Sequence, residues 1–169
     1  MDSGTTTLEL AKLIVAGNKR NILVATNALN IAMLFKDCED IQVIVIGGEF
    51  RPHILCTTGF IATDTVKTLF FDKSFVSGNH FSLEFGFSTP VAPEAKFKSL
   101  LLSVAKESFF LLDFSKFGTN SLYQIAPLVD ATATITDWHA PQKIENEFSK
   151  IGARLIVAMP VSSNKAYSE

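Results

Sequence analysis

Residues 43–48 read Val43-Ile44-Val45-Ile46-Gly47-Gly48, four apolar β-branched residues closed by two glycines. A strand with one wet face alternates apolar and polar residues. A run without that alternation belongs to a strand covered on both faces, the mark of a parallel sheet between crossover helices. Outward from this run, β-rich segments alternate with helical spacing in both directions. Strands are expected at 21–25, 41–46, 73–76, 108–112, 133–136 and 153–159, and helices at 8–16, 28–35, 61–70, 93–106 and 141–151. Phe97, Leu100, Leu101 and Val104 fall on one helical stripe, and Pro141 and Gly152 bracket the last helix as start and stop signals. The pattern predicts an α/β fold in three layers, a mostly parallel, Rossmann-like sheet with helices on both faces.

The chain has 169 residues, 47% of them hydrophobic and 19% charged, which suits one domain with a full core and no disordered majority. A net charge of −2 leaves no basic surplus for a nucleic-acid backbone, so DNA or RNA reading is not expected of this chain by itself. Its two cysteines are too few for a disulfide framework. With no signal-like start and no apolar run of membrane-spanning length, a cytoplasmic protein without membrane contact is expected. His53 and Cys56 form an isolated pair with no matching second pair, so no metal site and no cofactor are expected.

The segment Asp2-Ser3-Gly4-Thr5-Thr6-Thr7 precedes the first helical pattern. Glycine admits a close backbone approach, threonines offer hydroxyls, and a helix start presents unpartnered N–H groups, which together suit an anion such as phosphate. The same residues also read as a plain capping box of Thr6 and Glu9, which needs no ligand. In a doubly wound sheet such a turn follows a buried strand, yet here only Met1 precedes Asp2. The chain is therefore expected to be a fragment of a longer protein, with a domain over 1–161 lacking its first strand and a polar tail over 162–169.

In open α/β sheets ligands lie beyond the carboxyl ends of the strands. The residues there are small and polar: Thr26-Asn27, Gly47-Gly48-Glu49, Gly78-Asn79-His80, Asp113 to Gly118, and Asp137. Asn27 is equally a helix cap, Gly47-Gly48 a simple turn, Asp137 a local turn cap, and Glu94 with Lys98 an exposed ion pair one helical turn apart. Lys116, between a strand end and Gly118, offers a point charge suited to phosphate, although a solvated surface lysine has the same appearance. The phenylalanines, Phe70, Phe71, Phe109 and Phe110 among them, are assigned to the core or to a subunit interface, so a homo-oligomer is expected.

Taken in order, Asp2 to Thr6, Thr26-Asn27, Ile46 to Glu49, Phe71 to Phe75, Ser88-Thr89-Pro90, Glu94 to Lys98, Asp113 to Gly118 and Ile135-Thr136-Asp137 resemble the C-terminal effector domain of the DeoR family of bacterial transcriptional regulators. The resemblance covers nearly the whole chain. It implies a fold similar to ribose-5-phosphate isomerase and glucosamine-6-phosphate deaminase, a phosphorylated sugar as effector, and an upstream winged helix-turn-helix through which DNA is read. It also places phosphate contacts at Ser3, Gly4, Thr5, Thr6 and Lys116, with Asn27, Gly48, Asn79, Glu94 and Lys98 around the sugar.

His80 stands where the family commonly has glycine, and the loop Ser77-Gly78-Asn79-His80 holds none of the acidic residues that the related isomerases use for proton abstraction. The reading is thus a sensor with no catalytic residues. The alternative is a phosphosugar isomerase or deaminase with Glu94 or His80 as base. A third, purely structural oligomerisation module accounts for the phenylalanines but not for the polar strand ends.

Overall fold

The computed structural model describes residues 1–17 and 19–160. The expected polar tail over 162–169 lies outside the described residues. In chain order the elements are α1 (Thr5–Ala16), β1 (Ile22–Thr26), α2 (Leu29–Leu34), β2 (Ile41–Val45), β3 (Glu49–Arg51), β4 (Cys56–Thr58), α3 (Gly59–Lys67) and β5 (Phe71–Ser77). They continue as β6 (His80–Ser82), β7 (Gly86–Thr89), α4 (Ala92–Ser103), β8 (Ala105–Leu111), β9 (Tyr123–Ala126), β10 (Ala133–Asp137), α5 (Gln142–Lys150) and β11 (Leu155–Ala158).

The apolar run that opened the reading is β2, which pairs parallel with β1 from Ile22 opposite Ile41 to Thr26 opposite Val45. A second parallel block runs β5-β8-β10-β11. Met1 and Asp2 join the two blocks. The Met1 amino group donates to the Ala25 carbonyl at 2.7 Å and the Asp2 N–H to the Phe75 carbonyl at 3.1 Å. The strand pleat then sends successive β1 side chains to opposite faces. Val24 packs with Ala11 of α1 and Ile31 of α2, whereas Ala25 packs with Val66 of α3 and Phe97 and Leu101 of α4. Helices therefore cover both faces of a mostly parallel sheet, as the sequence pattern predicts.

Two antiparallel pieces add to this frame: the pair β3-β4 and the three-stranded sheet β6-β7-β9. The second brings aromatic rings into the core. Phe87 stacks on Phe110 with centroids 3.5 Å apart, and Phe81 meets Phe148 of α5 at 5.4 Å and Phe117 at 4.3 Å. Burying a side chain of this size contributes roughly 1.5–3 kcal/mol, so these rings fasten the strand-end loops to the main body. Of the four phenylalanines singled out from the sequence, Phe110 is fully buried, Phe71 and Phe109 are half-buried, and Phe70 is exposed.

Candidate functional site

The polar strand ends gather along one edge of the sheet, and α1 begins there. Its N-cap is Gly4, in an extended conformation at φ −126°. The capping box expected of Thr6 and Glu9 does not form. Thr7 takes the role, its hydroxyl accepting from the Gly4 N–H at 2.8 Å and lying within 3.1 Å of the Asp2 carbonyl. Glu9 instead pairs with Lys12 at 2.7 Å on the exposed side of the helix. The physical reason is register: with the helix starting at Thr5, the side chain one turn in from the cap is Thr7's. Thr5 and Thr6 are thereby released, and neither hydroxyl has a protein partner among the described residues. The first amides of the helix have no carbonyl within it to bond, so this start remains a donor-rich helix end.

Next to the helix start lies a buried ion pair. Asp2 Oδ2 accepts from the Ser77 N–H and the Ser77 hydroxyl, both at 2.8 Å, and takes a short contact from the Lys98 ammonium. Lys98 is 4% exposed and Asp2 is fully buried, and the lysine also lies 3.3 Å from Ser77 Oγ. The expected Glu94–Lys98 surface pair is therefore absent: α4 turns Lys98 inward to the carboxylate of residue 2. Glu94, in the first turn of α4 and half-buried, makes no ion pair among the described residues. Asp2 Oδ1 is enclosed without a hydrogen-bond partner among the described residues. Gly4 is required by this packing, since a Cβ there would fall 2.0 Å from Ser77 Oγ.

Asn27 is not a side-chain helix cap. Its backbone carbonyl accepts from Thr57 N–H at 2.9 Å, and its Nδ2 donates to the Thr57 carbonyl at 2.7 Å, which leaves Oδ1 buried without a partner. Thr57 is also tied to the end of β2, its hydroxyl donating to Ile46. Gly48 adopts φ +151° with the Thr58 carbonyl 2.4 Å from where a Cβ would sit, so the strand-end turn after β2 closes on β4 only with glycine there. Next to Thr57, Cys56 is buried, and burial pushes its thiol up; the Ser3 hydroxyl opposes that shift, and the charges of Glu94, Lys98 and Asp2 all reach it. Ser3, Cys56, Glu94 and Lys98 thus share one neighbourhood.

The turn bearing Lys116 is held from the next strand. Asp137 accepts from the Phe114 N–H at 2.7 Å and from the His139 N–H at 2.9 Å, and the His139 ring lies 2.6 Å away. Burial pulls the Asp137 carboxyl up, but these hydrogen bonds outweigh it and hold it below the ordinary value. Asp113 accepts from Ser115 N–H at 3.1 Å, and Gly118 N–H donates to Phe81 at 2.9 Å. Ser77 lies opposite Leu111 in the ladder, so the Lys116 turn follows the strand next to the one that holds Asp2. Lys116 is half-buried and has no ion-pair partner among the described residues. Asn79 is exposed, with its N–H bonded to the Ser88 carbonyl at 3.0 Å, and His80 Nδ1 meets Ser121 Oγ at 2.7 Å. No group of three or more metal-ligating side chains occurs among the described residues, and none of their helices is long and apolar enough to cross a membrane.

A Rossmann-like α/β domain with a polar strand-end rim is the class that this sheet defines. Residues 1–138 match the model of the DeoR C-terminal sensor domain, and the chain belongs to that family. Among similar proteins, a putative aga operon transcriptional repressor of Escherichia coli O157:H7 is 28% identical over 93% of this chain and 58% of its own length. The HTH-type transcriptional regulator GlpR of Haloferax volcanii is 30% identical over 92% of the chain and 60% of its own. The lactose phosphotransferase system repressor of Lactococcus lactis is 31% identical over 87% and 57%. The chain thus spans about three fifths of the length of these relatives, which are named as regulators of transcription.

Proposed function

We propose that this domain senses a phosphorylated sugar for a regulator of sugar metabolism in the cytoplasm. The single observation that carries the reading is the start of α1: Thr7 satisfies the cap, and the Thr5 and Thr6 hydroxyls and first-turn amides are left without a protein partner among the described residues. The phosphate docks there, with Ser3, Gly4 and Lys116, while Asn27, Gly48, Asn79 and Glu94 surround the sugar hydroxyls. Lys98 acts from behind, through Asp2 and Ser77, rather than by direct contact. The names of an aga operon repressor and a lactose phosphotransferase system repressor among the relatives support the sugar context; in this reading an upstream winged helix-turn-helix reads the operator in a homo-oligomer. Ligand binding favours one arrangement of those parts over another, which is what changes operator affinity.

The test is a thermal-shift comparison of sugar phosphates with the same sugars unphosphorylated, with product analysis of each mixture. A matching phosphosugar at 100 times its dissociation constant stabilises the fold by about 2.7 kcal/mol and raises the melting temperature by several degrees. Equal shifts with the free sugars overturn the phosphate assignment. Conversion of the phosphosugar that disappears in Glu94→Gln replaces the sensor by an enzyme.

A further inference from the structure

Among the described residues β3 pairs with β4 alone, and Glu49, Phe50 and Arg51 are all exposed along its other side. The direction of its free hydrogen-bonding groups follows from β4. Thr57, the residue opposite Phe50, donates its N–H to the Asn27 carbonyl at 2.9 Å and accepts from Asn27 Nδ2 at 2.7 Å, so it exchanges no bonds with Phe50. Bonded and non-bonded pairs alternate along an antiparallel ladder. Glu49 with Thr58 and Arg51 with Cys56 are therefore the bonded pairs, and the Phe50 N–H and C=O point outward from the free edge.

The side chains on this edge are self-complementary. Glu49 and Arg51 share one face of the strand and Phe50 takes the other. Neither charge has an ion-pair partner among the described residues. Two such strands set antiparallel about a two-fold axis at Phe50 exchange both Phe50 bonds, and each Glu49 then stands opposite the partner's Arg51. Parallel pairing in register sets like charges opposite each other, so the charges select the two-fold arrangement. Pro52 follows with no N–H to donate, which stops the ladder at the 3 residues of β3 and keeps the pair closed. Apolar surface adjoins the strand: Phe50 is 48% exposed, and Ile54 and Leu55 at the hairpin tip and Phe60 and Ile61 at the start of α3 are exposed as well. The Glu49 carboxyl lies against that start, 3.0 Å from where a Gly59 Cβ would sit, so antiparallel pairing carries the tip of one hairpin toward the partner's α3. Exposed apolar residues clustered in this way mark a contact surface.

We propose that β3 is a dimerisation edge, pairing with β3 of a second copy of this chain so that one sheet reads β4-β3-β3-β4 across the two-fold axis, with Glu49 and Arg51 as the charges that fix its register. This gives the homo-oligomer of the proposed function a surface and a symmetry. The hairpin also borders the polar strand ends: β4 holds Asn27 through Thr57, and β3 begins directly after Gly48. Subunit pairing and two of the residues assigned to the sugar thereby meet on one hairpin. That link rests on the phosphosugar reading, whereas the pairing of the edges stands whichever ligand the start of α1 takes.

Charge exchange across the axis tests it, by sedimentation velocity of the 169-residue chain over a concentration series with no sugar phosphate present. The parent chain is expected to be a dimer. Glu49→Arg and Arg51→Glu each set like charges opposite one another at both ends of the ladder, and each is expected to weaken the dimer about 10- to 100-fold. Two rescues are expected. Both substitutions in one chain restore opposite charges in reversed order, and an equimolar mixture of the two single variants pairs as a heterodimer. Amide exchange at Phe50 is expected to be slow in the parent and in both rescues, and fast in each single variant. A monomeric parent overturns the interface together with the homo-oligomer. A dimer that the single variants leave unchanged, or that neither rescue restores, overturns the interface alone. The thermal shifts with phosphosugars test the ligand separately, so either reading can fail without the other.

Discussion

The Lys98 ammonium contacts the carboxylate of Asp2, a residue 96 positions away, and both are buried beneath the Ser77 hydroxyl. This contact ties α4 to the residue that immediately precedes the cradle, so the helix and the anion site are set by a common charge pair. Removing one member of a buried pair leaves the other charge uncompensated, at a cost of roughly 3–5 kcal/mol. Asp2→Asn and Lys98→Met are each expected to lower unfolding stability by about that amount in urea titration. The double variant is expected to lose less than the sum, by about 1–3 kcal/mol. Strict additivity would show that the pair does not couple.

Gly4 stands against Ser77 with no room for a methyl group. Gly4→Ala is expected to cost about 1–3 kcal/mol by overpacking and to shift the start of α1. Ser77→Gly in the same chain removes the opposing atoms and is expected to recover part of that loss, even though it also deletes a donor to Asp2. A Gly4→Ala protein as stable as the parent, measured by the same titration, would mean that the helix start does not press on β5.

Asp137 supplies an acid-sensitive latch for the Lys116 turn. Its folded carboxyl is held below the ordinary value of 3.8, so its contribution is present above that pH and is lost as pH falls below it toward the folded value. Asp137→Asn is expected to flatten that limb of the stability curve, and to loosen amide protection at Phe114, whose N–H it binds at 2.7 Å. An unchanged acid limb would assign the loss to other carboxylates.

These features were unequally legible in the sequence. The parallel core was plain because Val43 to Ile46 has no polar break, and Phe97 and Leu101 mark the buried side of α4. The antiparallel strands β3, β4, β6, β7 and β9 were not, since each is only three or four residues long and several are interrupted by glycine or serine. Lys98 looked like a surface partner of Glu94 because helical spacing shows neighbours on the helix and nothing across the fold. Its true partner was visible only as an isolated acid next to Ser3. The capping error at Thr6 came from placing the helix start by pattern, where one residue of register changes which hydroxyl reaches back.

Lys116 is the lysine proposed for the phosphate, whereas Lys98, which the resemblance places around the sugar, is engaged with Asp2. Lys116→Ala is expected to leave the domain folded, since its side chain is half-buried and without an ion-pair partner among the described residues. Loss of one charge-assisted hydrogen bond to phosphate costs roughly 1.5–3 kcal/mol, or about 10- to 150-fold in affinity. Lys96→Ala, on the exposed side of α4, is the matched control and is expected to change affinity little. Calorimetric titration of both variants with the phosphosugar found by thermal shift, with circular dichroism as the check on folding, decides the point. Unchanged affinity in a folded Lys116→Ala protein would move the phosphate away from the β8 turn and leave the start of α1 to hold it unaided.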